Sequence, residues 1–298
     1  MTTVQVRIVI FMMSKMIEIT TRIGCSLNCK FCPQELLCHS YSMHLKDNDK
    51  IYASRTKPIT VLTFDNFQKC IDKVPPEIDI HFSGMCEPWA APDCTKMVLY
   101  AYNKGHKIHI FSTLVGMKLE DYIAIKSIVI ENFVIHIPDN EGNSKFLLDN
   151  AYLALLDTVI NDIVHGIIKV KCFSCHGTVH RQILPLISRT NIPVNSILFD
   201  RAGNVAQSTS IKRSTKKRGS IICKWCGGTS LDKNVLLPDG TVLLCCMDYG
   251  MQYVLGNLLY EDYAAIDEGE KKYLFRELLE SEKLGNILCR TCHRSVNK

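Results

Sequence analysis

Residues 16–32 read MIEITTRIGCSLNCKFC, a strand-like apolar segment that runs directly into three closely spaced cysteines. These cysteines, Cys25, Cys29 and Cys32, are separated by three and two residues. Three cysteines at two fixed spacings are expected by chance in only about 4% of chains with this cysteine content. Three thiolates from one short loop can bind three irons of a [4Fe-4S] cluster and leave the fourth iron without a protein ligand, which is typical of a catalytic metal site.

A structural zinc site is the alternative interpretation of this loop. Its fourth ligand would be Cys38 or His39, which follow the third cysteine closely. We favour the iron-sulfur cluster because the apolar segment 16–23 predicts a strand that leads directly into the cysteine loop.

Composition excludes several classes of protein. The chain has 298 residues, 47% of them hydrophobic and 15 of them cysteine, and a formal net charge of +5. That small charge indicates neither nucleic acid nor a membrane surface as a main partner. The apolar run at residues 8–13 is too short for a signal peptide or a membrane span. We therefore expect a cytoplasmic protein whose clustered thiols bind metal instead of forming disulfides.

Strand and helix patterns alternate over about 190 residues after residue 15. Strands are predicted at 16–23, 78–82, 107–112, 132–137, 166–173 and 193–199. Helices are predicted at 62–74, 96–104, 119–127, 150–164 and 179–189. This alternation indicates an α/β fold with a parallel sheet, helices outside it and ligands at the carboxyl ends of its strands.

The pattern CxxxCxxC after a first strand, here CSLNCKFC, resembles the signature of radical S-adenosylmethionine enzymes. The resemblance implies a partial (β/α)6 TIM-like barrel. It also implies that Cys25, Cys29 and Cys32 bind a [4Fe-4S] cluster whose open iron is chelated by S-adenosylmethionine. In these enzymes the aromatic residue before the third cysteine, here Phe31, lies near the adenine.

Further strand ends resemble the segments of this family that bind the cofactor. Residues 83–88, SGMCEP, resemble its GGEP motif, with Met85-Cys86 where a second glycine is usual. The third strand ends in two hydroxyl residues, where the family often contacts ribose or carboxylate. An arginine after the sixth strand has the length to reach the cofactor or an anionic group of the substrate. The resemblance therefore assigns cofactor binding to Phe31, Gly84, Glu87, Ser112, Thr113 and Arg201.

The last eighty residues predict a second metal site. Two short strands around Pro238-Asp239-Gly240 predict a hairpin that presents Cys245 and Cys246. The tail resembles the SPASM/twitch extension of radical S-adenosylmethionine enzymes, in the shorter form with one auxiliary [4Fe-4S] cluster that occurs in enzymes acting on aminoglycoside sugars. Its ligands would then be Cys223, Cys245, Cys289 and Cys292.

The ligand set of the tail has alternatives. Cys226 could replace Cys223, and Cys246 could replace Cys245. A zinc ion with the same ligands is a further possibility. The remaining CxxC pair, Cys172 and Cys175, straddles a strand end without two further partners, so we interpret it as core or pocket lining.

These patterns divide the chain into four predicted parts. An N-terminal extension covers 1–15, and the partial barrel covers 16–205. Residues 206–220 are polar and basic and are predicted to form a linker, and residues 221–298 form the auxiliary cluster domain, a small unit with a β-hairpin and a helix.

The resemblance implies a reaction as well as a fold. Reductive cleavage of S-adenosylmethionine would give a 5'-deoxyadenosyl radical that takes hydrogen from a carbon of a sugar-like or aminoglycoside-type substrate. We expect epimerisation, with Cys246 as the catalytic hydrogen donor, and an electron donor such as flavodoxin or ferredoxin as partner. The alternatives are two-electron dehydrogenation of an alcohol carbon, radical modification of a ribosomally made peptide, and a non-enzymatic zinc or iron-sulfur protein.

Overall fold

The structure is a computed structural model that describes residues 15–47, 59–196, 200–205, 216–224, 231, 233–281 and 287–298. Most of the predicted N-terminal extension and of the basic linker lies outside the described residues, and so does Cys226. Among the described residues, no helix combines the length and the apolar character needed to cross a lipid bilayer.

The strands form one large sheet and one short ribbon. Their bounds are β1 Met16–Ile19, β2 Asp79–Phe82, β3 Ile108–Ser112, β4 Ile130–His136, β5 Cys172–Ser174, β6 Val194–Asn195, β7 Ile221–Cys223, β8 Lys233–Leu236, β9 Thr241–Leu243, β10 Val254–Asn257 and β11 Ser295–Asn297. In the described part of the chain the large sheet has the order β10-β9-β8-β1-β2-β3-β4-β5-β6, and β7 pairs with β11. Strands β1 to β6 are parallel and adjacent in chain order.

Helices connect the parallel strands. Their bounds are α1 Gln34–Asp47, α2 Phe64–Ile71, α3 Cys94–Asn103, α4 Leu119–Ile125, α5 Asn150–Val164, α6 Leu184–Ile187, α7 Tyr263–Asp267 and α8 Glu270–Glu280. The α/β class and the strand–helix alternation are confirmed. The sequence patterns did not predict α1, which follows the cysteine loop and buries only Leu37, Tyr41 and Leu45 of its apolar residues on one face.

Several predicted elements are shorter in the structure than in the prediction. The first strand ends at Ile19 instead of residue 23, the helix expected at 62–74 covers Phe64–Ile71, and the strand expected at 193–199 covers Val194–Asn195, with 197–199 outside the described residues. The strand expected at 166–173 is confined to β5, because Gly166, at φ +70°, ends α5 and residues 167 and 168 still bond to the Asp162 carbonyl. The helix expected at 179–189 is reduced to α6, which carries a proline in its first turn. A proline tolerated at that position cannot continue a hydrogen-bonded helix upstream.

Side chains alternate between the two faces of the sheet. On β1, Ile17 and Ile19 are fully buried in the main apolar core, which the helices share with the outer face of the strands. Glu18 points to the other face, where its carboxylate accepts a hydrogen bond from Ser83 Oγ (3.1 Å). His81 on β2 and His136 on β4 occupy equivalent alternate positions. The concave side of the open barrel is therefore lined by polar groups.

The predicted hairpin of the tail is present as β8 and β9, and it extends the barrel sheet. Strand β8 pairs in parallel with β1 in a register that places Met16 opposite Lys233 and Ile19 opposite Leu236. The turn requires Gly240 at φ +87°, since a Cβ there would lie 2.5 Å from Asn257 Oδ1. The tail and the barrel thus share one sheet.

A buried ion pair stabilises the outer side of this tail. Lys272 on α8 contacts Asp267 at the end of α7, and both side chains are fully buried. Asn234 on β8 donates a further hydrogen bond to Asp267 Oδ1 (2.9 Å). Removing the carboxylate leaves the ammonium group buried and without its counter-charge, which is more costly than losing an exposed pair.

We therefore expect Asp267→Ala to lower the free energy of unfolding by about 3–5 kcal/mol in denaturant titrations. The control is Asp65→Ala, which breaks the exposed Lys69–Asp65 pair on α2 and should cost less than about 1 kcal/mol. Equal losses in the two variants would contradict the conclusion that the buried Lys272–Asp267 pair stabilises the tail.

Candidate active site

A cavity of about 130 Å³ opens at the carboxyl ends of the parallel strands. Its wall is formed by the cysteine loop after β1, the loop after β2, the ends of β3 and β4, and segments that follow β5, β6 and β9. The side chains that bear on its chemistry are Cys25, Cys29, Phe31, Cys32, Gln34, Gly84, Cys86, Glu87, Thr113, His136, His176, Arg201 and Tyr249. Strand ends of a parallel sheet are where ligands are expected to bind.

All three predicted cluster cysteines line this cavity. The loop that carries them is fixed by backbone hydrogen bonds, from Cys32 N to Cys29 O (3.0 Å) and from Lys30 N to Asn143 O (2.8 Å). Burial raises the pKa of Cys29 to about 12, so the thiol is protonated when no metal is bound. Three sulfur donors on one wall of one cavity fit an iron-sulfur cluster with one open iron.

The candidate fourth ligands of the zinc alternative lie outside this cavity, although Cys38 is within electrostatic reach of Cys32. Cys38 is on α1, and its sulfur would be 3.9 Å from a Cβ placed on Gly24. Neither Cys38 nor His39 lines the cavity described above. The structure brings the cysteine triple together around an open space and leaves Cys38 beside the loop.

The loop after β2 requires a glycine at position 84. Gly84 has φ +38°, and a Cβ there would lie 2.4 Å from the carbonyl oxygen of Ile19. The neighbouring Met85 N–H donates to Thr20 Oγ1 (3.0 Å). The loop after β2 therefore packs directly on the end of β1, and its backbone faces the cavity.

Glu87 connects this loop to the end of β3. Its buried carboxylate accepts hydrogen bonds from Ser112 Oγ (2.6 Å), Thr113 N (2.7 Å), Thr113 Oγ1 (2.7 Å) and Trp89 N (3.3 Å). Burial raises the pKa of Glu87, and these donors oppose that rise. Thr113 also lines the cavity, whereas Ser112 lies behind Glu87 and acts through it.

Phe31 lies on the cavity wall, and its ring packs against His176 with centroids 4.1 Å apart. His176 and His136 were missed by sequence reasoning. Burial lowers the pKa of His136 to about 3 and that of His176 to about 4, so both imidazoles are neutral at physiological pH. His136 could have been found, because it ends β4 on the inward-facing alternate position.

Arg201 reaches the cavity from a strained turn. Arg201 and Ala202 both have positive φ angles, +50° and +58°. Although burial disfavours its charge, Tyr249, Cys246, Cys32 and Glu18 raise the pKa of Arg201, which stays cationic. Non-glycine residues in this conformation are strained, and such strain concentrates at functional positions.

Tyr249 was also missed by sequence reasoning, and it joins the tail to the cysteine loop. The Cys32 thiol donates to Tyr249 Oη across 3.8 Å. Tyr249 follows the Cys245-Cys246 pair by three residues, so the segment that carries the second group of cysteines also forms part of the cavity wall. No local sequence pattern distinguishes Tyr249 from other tyrosines of the tail.

The structure brings the four predicted auxiliary ligands together. Cys289 lies within electrostatic reach of Cys292 and Cys223, and Cys245 within reach of Cys289 and Cys223. Cys246 is hydrogen-bonded to Cys245 and lies within electrostatic reach of Cys292 in the tail and of Glu18 and Arg201 on the barrel side. Cys246 therefore borders both the tail cysteines and the barrel, whereas Cys245 borders the tail cysteines.

Arg290 holds the segments around these cysteines. Its fully buried guanidinium donates to the carbonyl oxygens of Lys217, Gly219, Leu278 and Ser281 at 2.8–3.3 Å. Cys289, next to it in sequence, is thereby fixed relative to the strand that carries Cys223.

The remaining CxxC pair lies apart from these sites. Cys172 and Cys175 are buried, and Cys175 donates to the Gly177 carbonyl (3.3 Å).

The tail is similar to a known domain, and the whole chain is similar in fold to solved structures. Residues 223–293 match the iron-sulfur cluster-binding domain named SPASM. The chain is similar to BtrN in complex with AdoMet and 2-DOIA, with 14% identity, a TM-score of 0.58, and coverage of 96% of this chain and 94% of that one. It is also similar to Streptococcus suis SuiB bound to S-adenosylmethionine, with 11% identity, a TM-score of 0.54, and coverage of 94% and 71%. No curated protein matches the chain in sequence.

The chain therefore shares its fold with BtrN and SuiB, and its tail matches the SPASM domain over residues 223–293. These assignments agree with iron-sulfur clusters and S-adenosylmethionine as the cofactors.

We expect Gly84→Val to weaken the binding of S-adenosylmethionine to the cluster-loaded protein by at least about tenfold in equilibrium dialysis. The branched side chain would displace the loop from Ile19. Glu87→Ala should weaken binding as well, since it removes the acceptor that ties the loop to β3.

Gly166→Val is the control. Gly166 shares the positive φ, at +70°, but a Cβ there meets no atom within 4 Å. Unchanged affinity in both Gly84→Val and Glu87→Ala would show that this loop does not bind the cofactor.

Proposed function

We propose that this chain is a radical S-adenosylmethionine enzyme that abstracts hydrogen from a carbon of a sugar-like substrate and inverts that carbon. The observation that carries the proposal is one cavity that combines three loop cysteines, a glycine loop that packs on β1 and a half-buried arginine. The SPASM match of the tail supports it.

Cys25, Cys29 and Cys32 would hold the iron-sulfur cluster, which would supply the electron needed to split S-adenosylmethionine into methionine and a 5'-deoxyadenosyl radical. The residues of the chain bind and orient the reactants. The backbone at Gly84 would bind the methionine end and Phe31 would pack on the adenine, while Glu87 holds the loop against Thr113. Buried side chains on the cavity wall exclude water, which protects a radical from side reactions.

Arg201 and the neutral His136 and His176 are the polar groups available to the substrate. A cationic guanidinium can bind a hydroxyl or an anionic group, and neutral imidazoles can donate to or accept from hydroxyl groups. This set suits a polyol or aminocyclitol. The similarity to BtrN, whose structure contains 2-DOIA, is consistent with a small substrate.

The position of Cys246 between the tail cysteines and the barrel supports epimerisation. Cys245 lies within reach of Cys289 and Cys223, as a cluster ligand would, whereas Cys246 lies near Cys292 and also beside Glu18 and Arg201 of the barrel. In an epimerisation the substrate carbon loses a hydrogen atom on one face and receives the hydrogen of the Cys246 S–H bond on the other. An electron from flavodoxin or ferredoxin and a proton from solvent then restore the thiol.

Dehydrogenation is the second candidate, favoured by the contact between the tail and the cysteine loop. Cys32 touches Tyr249, and Cys245 is hydrogen-bonded to Cys246, so an auxiliary cluster would lie close to the cavity. A substrate radical could then pass its second electron to that cluster and its hydroxyl proton to solvent. Peptide modification is a third outcome, since SuiB has also been solved bound to the precursor peptide SuiA.

We expect anaerobically prepared protein to contain about eight irons and about eight sulfides per chain, because seven cysteines fit one open and one closed cube. Replacing Cys25, Cys29 and Cys32 together with Ala should halve both contents. Replacing Cys70, Cys94 and Cys175 with Ala is the control and should leave the iron content of the folded protein unchanged, as these thiols are buried in the apolar core. Stoichiometric zinc without sulfide would overturn the radical assignment.

The outcome of the reaction can be read from isotope incorporation in deuterated water. An epimerase that uses an exchangeable thiol places one deuterium on the inverted carbon. Cys246→Ala should then stall turnover while 5'-deoxyadenosine is still formed. Candidate aminoglycosides and nucleotide sugars are the substrates to test, with mass spectrometry as the measurement.

Cys38→Ala is the matched control, because Cys38 is a half-buried thiol outside the cavity, and it should leave turnover unchanged. A product two mass units lighter than the substrate, formed equally by Cys246→Ala, would establish dehydrogenation and contradict epimerisation.

A further inference from the structure

A cluster of two histidines and an aspartate lies on the concave face of the barrel, outside the cysteine sites. Asp79 and His81 are two residues apart on β2 and therefore point to the same face. His109 on β3 pairs directly with His81 in the parallel register. One ligand atom from each of the three side chains lies within 4.8 Å of the others.

The histidine nitrogens of this cluster do not all form hydrogen bonds with the described residues. His109 Nε2 is 3.0 Å from Asp79 Oδ2, and the rings of His81 and His109 stack with centroids 4.1 Å apart. Within the described residues, His81 Nε2 and His109 Nδ1 are buried and have no hydrogen-bond partner. A buried polar atom without a partner costs free energy, so each such atom in a native protein requires an explanation.

We propose that Asp79, His81 and His109 bind one divalent transition-metal ion of the zinc type. Two imidazoles and one carboxylate are ligands that zinc prefers, and an open fourth position is filled by water. Ligand atoms of tetrahedral zinc lie about 3.3 Å apart, so modest side-chain rotations close the site from its present spacing. The bound ion also takes up lone pairs that are otherwise buried and unpaired.

Charge and access are compatible with such a site. Asp79 contributes a negative charge and Glu131 lies within electrostatic reach of His109, whereas Lys233 lies within reach of His81 and opposes the cation. The Asp79 side chain is 27% exposed and that of His109 is 15% exposed, so an ion can enter from the amino-terminal end of the barrel.

The site lies one layer below the candidate active site. The ring of His81 stacks on Phe111 with centroids 5.9 Å apart, and Phe111 lines the cavity. An ion at this position ties β2 to β3, the two strands whose ends carry the Gly84 loop and Thr113. The inference does not depend on the proposed reaction, because it concerns different residues.

The test is the zinc content of the cluster-loaded protein after equilibration with zinc chloride and removal of free metal. We expect Asp79→Asn and His109→Phe to contain one zinc ion fewer per chain than the wild type. Zinc held by cysteines would be the same in all samples. Asp79→Asn preserves side-chain size, so it separates loss of a ligand from loss of folding.

His106→Ala is the control, since His106 is also a buried histidine but bonds the Ile78 carbonyl through Nδ1 (2.9 Å). It should keep the full zinc content. The difference between the zinc X-ray absorption spectra of the wild type and Asp79→Asn should show nitrogen and oxygen neighbours without sulfur. Equal zinc content in the wild type, Asp79→Asn and His109→Phe would overturn the proposal, whatever the activity of the enzyme.

Discussion

The parallel pairing of β1 with both β2 and β8 is the constraint on which the site depends. Strand β1 leads directly into the cysteine loop, so its neighbours determine what surrounds the three thiols. On one side β2 ends in the Gly84 loop. On the other side β8 begins the hairpin that ends in Cys245 and Cys246. One strand of four residues thereby brings the two groups of cysteines to the same end of the barrel.

Interactions of two charged side chains, Glu87 and Arg201, fix the loops that form the cavity. Glu87 is buried and Arg201 is half-buried. Hydroxyl and backbone donors compensate the carboxylate, and Glu18 and nearby thiols compensate the guanidinium. Low-dielectric surroundings make such interactions strong and the loss of one partner costly. The loops at the strand ends are thus fixed by electrostatics as well as by apolar packing, which suits a cavity that must orient a reactive group.

Much of the fold was predictable because local sequence patterns determine it. Alternation of apolar residues identified β2, β3 and β4 nearly to the residue, and the CxxxCxxC spacing identified the loop that lines the cavity. The pairing of β8 with β1 was not predictable, since it joins residues from opposite ends of the chain. The position of Tyr249 at the site was not predictable for the same reason, because its contact with Cys32 exists only after that pairing forms. His136 carried a readable signal in its strand position.

The pairing of β1 with β8 has a consequence for how the chain folds. During synthesis the amino-terminal strands leave the ribosome long before residue 233, so one edge of β1 has no partner while the barrel half is being made. Long-range parallel pairing is slow to form, and an unpaired strand edge favours association with other chains. The end of the barrel at which the two groups of cysteines meet is therefore complete only after β8, near the end of the chain, has paired with β1.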